Sequence, residues 1–258
     1  MVQTFQSDGF EIAFLDSSPT GGPERAHSVL LIHGFASNHR VNWVDTGWVK
    51  ALNADGYRVL AIDNRGHGQS GTSGDPNRYG APLMASDAAR LLDHVGIGRA
   101  HVMGYSMGAR ITAFMSMLHA ERVKSAAFAG LGYNMIRGFG NSEPIAQALE
   151  ADTHDEIHDE AGRMFRAFAE QTGSDLPSLA ACIRSSRAGI SEADVATIEV
   201  PVLVACGTED AIAGSALGLA DLMPNARAFD IKGRDHMKAV GDKSYKQAVR
   251  EFLEQHDA

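Results

Sequence analysis

A five-residue bend constrains this chain more than any other feature in it. Ala100 to Met103 is a short apolar run, Gly104-Tyr105-Ser106-Met107-Gly108 follows, and Ala109 to Leu118 then has the composition of a helix. Ser106 therefore falls where a strand turns sharply into a helix. Glycines two positions to either side leave out the Cβ atoms that would collide in such a bend. The hydroxyl is held away from the protein body beside a helix N-terminus, whose N–H groups lack intrahelical partners and favour negative charge. A bend of this kind suits the formation of an oxyanion. The glycine spacing recurs by chance in a glycine-rich chain, so the surrounding residues must carry the functional reading.

Apolar runs at Ser28 to Ile32, Tyr57 to Ile62, Ala100 to Met103 and Lys124 to Ala129 alternate with helical patterns at Trp43 to Ala54, Pro82 to Val95 and Ala109 to Leu118. Continuous apolar runs are what strands buried on both faces require, so the alternation predicts a parallel sheet with right-handed crossovers. Val2 to Phe5 and Phe10 to Leu15, joined through Ser7-Asp8-Gly9, read as a hairpin ahead of it. The rhythm stops after Gly130. Amphipathic stretches follow at Ser142 to Ala151, Asp155 to Gln171, Pro177 to Ala188 and Ser191 to Thr197. Alternation resumes with a strand at Val200 to Cys206, a helix at Ile212 to Met223, a strand at Ala226 to Ile231 and a helix at Tyr245 to Gln255. The expectation is one α/β core, residues 1–130 and 198–258, interrupted by a helical insertion over 131–197.

The 258 residues carry a net charge of −9, and no basic block is visible. This argues against nucleic acid or an anionic membrane as the main partner. Cys182 and Cys206 lie far apart and read as a reduced pair. The N-terminus lacks the basic start and apolar run of a signal peptide, and no apolar run approaches the ~20 residues that span a bilayer. A cytoplasmic protein is expected.

In an open parallel sheet, functional groups collect at the carboxyl ends of the strands. Ser106, Asp210 and His236 each stand just after a predicted strand, in the order serine, acid, histidine. Serine needs a base within hydrogen-bond reach, histidine can be that base near neutral pH, and a carboxylate fixes its tautomer. On these residues the chain resembles the α/β-hydrolase superfamily, in its serine-nucleophile esterase-like branch. The resemblance implies a mostly parallel eight-stranded sheet flanked by helices, with the insertion as a helical cap. It makes Ser106 the nucleophile, Asp210 the orienting acid and His236 the base, with the N–H groups of Phe35 and Met107 as the oxyanion hole. It also implies a carboxylic ester of a small to medium acyl group as substrate, and no nucleotide, flavin or metal cofactor.

Competing assignments are weaker. Asp235 adjoins His236, and sequence neighbours rarely face each other; Glu209 is expected to face solvent. His33, before Gly34, is expected to shape the oxyanion loop, and Asp63 to Ser70 resembles a structural loop of the family, so His67 is not expected to be catalytic. His154 and His158 stand one helical turn apart, but Asp155 occupies the place of the glutamate in a zinc protease motif. The bend also resembles that of a synthase that eliminates pyruvate, in which an arginine four residues after the serine holds a carboxylated substrate; Arg110 has that place. Carbon–carbon bond chemistry on a carboxylated substrate, or cofactor-free perhydrolysis, is therefore the alternative, with Arg137, Arg163, Arg166, Arg184 and Arg187 as further candidate cations. Tyr105, Arg110 and Met135 are candidate substrate contacts, and Ile136, Phe139, Met164, Phe165 and Phe168 are candidate pocket lining.

Overall fold

The computed structural model describes residues 2–22, 25–138, 140, 142–185 and 189–257. Phe139, Arg187 and Ala188, named above, lie outside the described residues. Eight strands form one sheet: β1 (Val2–Ser7), β2 (Phe10–Ser17), β3 (Ser28–Ile32), β4 (Val59–Ile62), β5 (Ala100–Tyr105), β6 (Val123–Ala129), β7 (Val202–Gly207) and β8 (Ala226–Ile231). Their spatial order is β1-β2-β4-β3-β5-β6-β7-β8. The β1–β2 hairpin is antiparallel and β2 meets β4 antiparallel, while every pairing from β4 to β8 is parallel.

The buried strands alternate between two cores, as period-two geometry requires. Leu30, Ile32, Leu60, Ile62, Val102 and Phe128 face one layer, with α2 (Ala81–His94) and α3 (Met107–Leu118). Val29, Leu31, Val59, Ala61, Met103 and Leu203 face the other, with α1 (Trp48–Ala54) and a C-terminal helix at Lys243–Gln255. Both faces are covered, so the strand residues have no polar side to show, which explains their unbroken apolar runs. Each fully buried Leu or Ile contributes roughly 1.5–3 kcal/mol relative to exposure.

Between β6 and β7 the chain forms α4 (Asn134–Arg137), α5 (Glu143–Glu150), α6 (Glu160–Gln171), α7 (Leu176–Ser185) and α8 (Glu192–Val195). The expected helix from Asp155 is shorter than its pattern. His154 to Glu156 forms a single 3-10 turn, and α6 begins only after Asp159, whose carboxylate accepts from Gly162 N at 2.6 Å and caps it. His154 and His158 therefore do not share a helix face, and His154 is paired with Glu170 at 3.0 Å instead. The helix expected over Ile212 to Met223 is also cut short: α9 covers only Ala216–Ala220. A short helix, α10 (His236–Ala239), and a longer one, α11 (Lys243–Gln255), follow β8, the latter capped by Asp242, which accepts from Ser244 N at 2.7 Å. Among the described residues, no helix is long and apolar enough to cross a membrane.

Candidate active site at the carboxyl edge of the sheet

Ser106 is the hinge between β5 and α3, with φ 56° and ψ −115°. A non-glycine residue in that region costs on the order of 1–3 kcal/mol, and surrounding bonds hold it there. Ser106 N donates to Ala129 O at 2.7 Å on β6, and its carbonyl accepts from Ala109 and Arg110 N–H in the first turn of α3. The flanking glycines are steric necessities. A Cβ on Gly104 would lie 2.0 Å from the Gly108 carbonyl oxygen, and one on Gly108 would lie 2.0 Å from that of Ile32 on β3. The bend packs backbone against backbone, and no side chain fits between.

Three distant residues meet at this hinge. His236 Nε2 is 3.1 Å from Ser106 Oγ, and His236 Nδ1 is 2.8 Å from Asp210 Oδ2. The second Asp210 oxygen accepts from Ile212 N (2.9 Å) and Ala213 N (3.0 Å), so the carboxylate cannot rotate away. Those two bonds hold residues 212–213 in a turn, which is why α9 starts late. The Asp210 side chain is fully buried. An acceptor there keeps the ring proton on Nδ1 and turns the Nε2 lone pair toward the serine hydroxyl. Asp235 faces elsewhere: it caps α10 by accepting from Lys238 N at 2.9 Å and pairs with the Lys238 ammonium. Glu209 is exposed.

Tyr105 and Asn42 support the site. The Tyr105 hydroxyl donates to the backbone carbonyl of His236 at 2.5 Å, and its ring lies 5.4 Å from the imidazole. Burial pushes its phenol well above the usual range, so it remains a donor. Asn42 was not legible in the sequence; its side-chain oxygen accepts from Gly34 N at 3.0 Å and fixes the loop that carries Phe35. It sits in a π-turn over Arg40–Val44, a geometry with no local sequence signature.

His33 is fully buried beneath the same loop. Its Nε2 accepts from Asn64 N at 3.0 Å, which leaves Nδ1–H to donate to Gly34 O at 2.7 Å. Both ring nitrogens are thus committed to backbone. His67 is buried too, and desolvation together with His33 pulls its imidazole down to about 3. The rest of its loop is anchored through Arg65, whose guanidinium grips Asp87 with two bonds of 2.5 and 2.8 Å. Both cysteines are buried, and burial pushes each thiol up to about 12.

Two cavities meet at Ser106, with Phe35 and Phe165 lining both. The larger, about 220 Å³, extends past His236 between Val41, Thr46, Phe168 and Val240. The smaller, about 80 Å³, is lined by Met107, Leu131, Ile183 and Ile212, with Arg110 and Asn134 as polar members. Met135, a candidate substrate contact, lines neither. Its side chain is fully buried in the core, and its carbonyl accepts from Arg110 Nη1 at 2.8 Å. Met164 is largely exposed on α6, one position from the inward-facing Phe165. Arg163 donates to Ile157 O just ahead of α6, Arg166 pairs with Glu170 of its own helix and donates to Ala148 O of α5, Arg184 pairs with Glu143 of α5, and Arg137 is exposed over the Tyr133 ring.

A family model described as alpha/beta hydrolase fold matches residues 27–173. The chain is 37% identical over 128 residues to the dihydrolipoyllysine-residue acetyltransferase component of the acetoin cleaving system from Cupriavidus necator, covering 48% of this chain and 32% of that protein. It is 29% identical over 119 residues to a putative 2-succinyl-6-hydroxy-2,4-cyclohexadiene-1-carboxylate synthase of Bacillus subtilis, covering 46% and 40%. These matches span about a third to two fifths of the curated relatives' own length. In structure it resembles the enol-lactonase from Burkholderia xenovorans LB400, with a TM-score of 0.78 at 23% identity over 98% of this chain and 100% of that one. A sheet of this order, a strained serine between β5 and α3, and a family model spanning more than half the residues agree: the chain belongs to the α/β hydrolase fold family.

Proposed function

We propose that the protein is a serine hydrolase acting on carboxylic esters of small to medium acyl groups. The observation that carries this reading is the position of His236, within hydrogen-bonding distance of Ser106 Oγ on one side and Asp210 on the other. In the proposed cycle Nε2 takes the Ser106 proton as Oγ attacks the ester carbonyl carbon. The oxyanion is met by the N–H groups of Phe35 and Met107; Met107 is the first residue of α3, where the N–H has no intrahelical acceptor. The Nε2 proton then passes to the leaving alcohol, and a water activated by the same nitrogen releases the acid.

The direction of proton transfer sorts the two cavities. The leaving oxygen must face the imidazole, so the alcohol belongs in the larger cavity, which His236 lines, and the acyl chain in the smaller. A volume of about 80 Å³ holds a short acyl chain and little more. The helices between β6 and β7 act as a cap in this reading, contributing Phe165 and Phe168 from α6 and Ile183 from α7.

A panel of p-nitrophenyl esters against the wild type and Ser106→Ala tests the proposal. Acetate to butyrate should be hydrolysed faster than octanoate, and Ser106→Ala should fold normally without turnover. Unchanged turnover in Ser106→Ala would end this mechanism. Arg110, at the rim of the smaller cavity, supports a second reading in which the substrate carries a carboxylate. That reading requires a carboxylated substrate to outcompete simple esters and Arg110→Met to raise its KM alone. Perhydrolysis would show itself as peroxide-dependent turnover with acetate.

A further inference from the structure

His27, His101 and Asp257 form a polar cluster at the amino edge of the sheet, opposite the candidate active site. His101 is the second residue of β5, five positions before Ser106, a distance of about 16 Å along an extended strand. His27 directly precedes β3, and Asp257 follows α11. Asp257 Oδ1 lies 3.2 Å from His101 Nε2 and 3.4 Å from His27 Nδ1, and one donor atom from each residue falls within 4.8 Å of the others. Ligands of a tetrahedral Zn²⁺ ion with bonds of 2.0–2.1 Å stand about 3.3 Å apart. We propose that His27 Nδ1, His101 Nε2 and the Asp257 carboxylate form a Zn²⁺ site that clasps the C-terminal segment to the sheet, with water as the fourth ligand.

The surroundings are those of a prepared site. The Asp257 carboxylate is oriented by backbone N–H groups of Ala26 (3.3 Å) and His27 (3.1 Å). The Ser125 hydroxyl on β6 lies 2.8 Å from His101 Nδ1. Without metal, His101 Nε2–H donates to Asp257 and the Ser125 hydroxyl donates to Nδ1. When Zn²⁺ takes the Nε2 lone pair the ring proton moves to Nδ1, and the same hydroxyl accepts it, so one partner holds the ring in both states. His27 Nδ1 exchanges its bond to the Asp257 carbonyl (3.0 Å) for the metal. Tyr57 packs edge-on to His101 at 5.9 Å, is buried, and its hydroxyl has no hydrogen-bond partner among the described residues. A metal-bound water is a suitable donor for that hydroxyl. Among the described residues this is the one His/Cys/Asp/Glu group with metal-binding spacing.

The test uses the full chain, stripped by chelator and titrated with Zn²⁺ by calorimetry and with Co²⁺ by visible absorption. One equivalent should bind with a Kd of about 1 µM or tighter, and Co²⁺ should give the intense bands of tetrahedral coordination. His236→Gln, which removes the imidazole beside Ser106, should bind as the wild type does. Asp257→Asn and His27→Gln should each weaken binding by about 30-fold or more, and Ser125→Ala by about 10-fold. The His27 side chain is partly exposed, so His27→Gln tests the site without a buried change. A wild-type Kd above about 100 µM, or uptake unaffected by both Asp257→Asn and His27→Gln, would overturn the proposal.

Discussion

Asp210→Asn separates the orientation of the base from every other feature of the candidate site. The carboxylate uses one oxygen for the Ile212 and Ala213 N–H groups and the other for His236 Nδ1. An amide has one acceptor oxygen. Turning its NH₂ toward the two backbone donors would leave both without an acceptor, at about 1–3 kcal/mol for the buried Ala213 N–H and less for the part-buried Ile212 N–H. The oxygen therefore stays with Ile212 and Ala213, and the NH₂ faces His236 Nδ1. Nδ1 must then present its lone pair, which moves the ring proton to Nε2, where it faces Ser106 Oγ. The serine loses its base while nothing else moves. A wrong-tautomer lesion in a Ser-His-Asp site lowers kcat by about 10⁴, or roughly 5.5 kcal/mol of barrier. Steady-state kinetics on p-nitrophenyl acetate should show that loss in kcat with KM nearly unchanged, and circular dichroism should show an unchanged fold. A fall of less than about 10-fold in a folded variant would refute the reasoning, because the imidazole would then be oriented by something other than Asp210.

Gly108→Ala places a methyl 2.0 Å from the Ile32 carbonyl oxygen, an overlap that only backbone movement relieves. The variant should be insoluble or melt far below the wild type, and a melting temperature within a few degrees of it would contradict the packing described. The buried His67 imidazole titrates at about 3 when folded, because burial and His33 oppose its charge, whereas the unfolded chain takes up that proton below about 6.5. A lowered histidine pKa costs stability as pH falls from about 6.5 toward 3, by up to about 1.4 kcal/mol per unit. Urea unfolding midpoints should drop between pH 7 and pH 5, and a flat profile would contradict this.

The strands around Ser106 were legible because both faces of the sheet are covered, so each buried strand leaves an unbroken apolar run. The Ser106 bend was legible because backbone contact admits only glycine at 104 and 108. Side-chain to backbone bonds hid the rest. Residues 212–223 have helical composition, but the Asp210 carboxylate draws the Ile212 and Ala213 N–H groups into a turn before a helix can start. Asp159 likewise delays the helix expected from Asp155 until Glu160, and its being a residue type favoured at helix N-caps was the available cue. The bond from Asn42 and the burial of Met135 in the core escaped the sequence for a related reason. Periodicity reports which residues are apolar, while the partner of one amide oxygen or one carbonyl depends on elements far away in sequence.

Identification of the covalent intermediate tests the central claim most directly. The protein is mixed with p-nitrophenyl acetate, quenched in acid within the first turnover, digested and mapped by mass spectrometry. The account predicts one acetyl group, carried on the oxygen of Ser106 and absent from Ser106→Ala. Hydrolysis that proceeds with no acetylated species, or with the acetyl group on another residue, would contradict it.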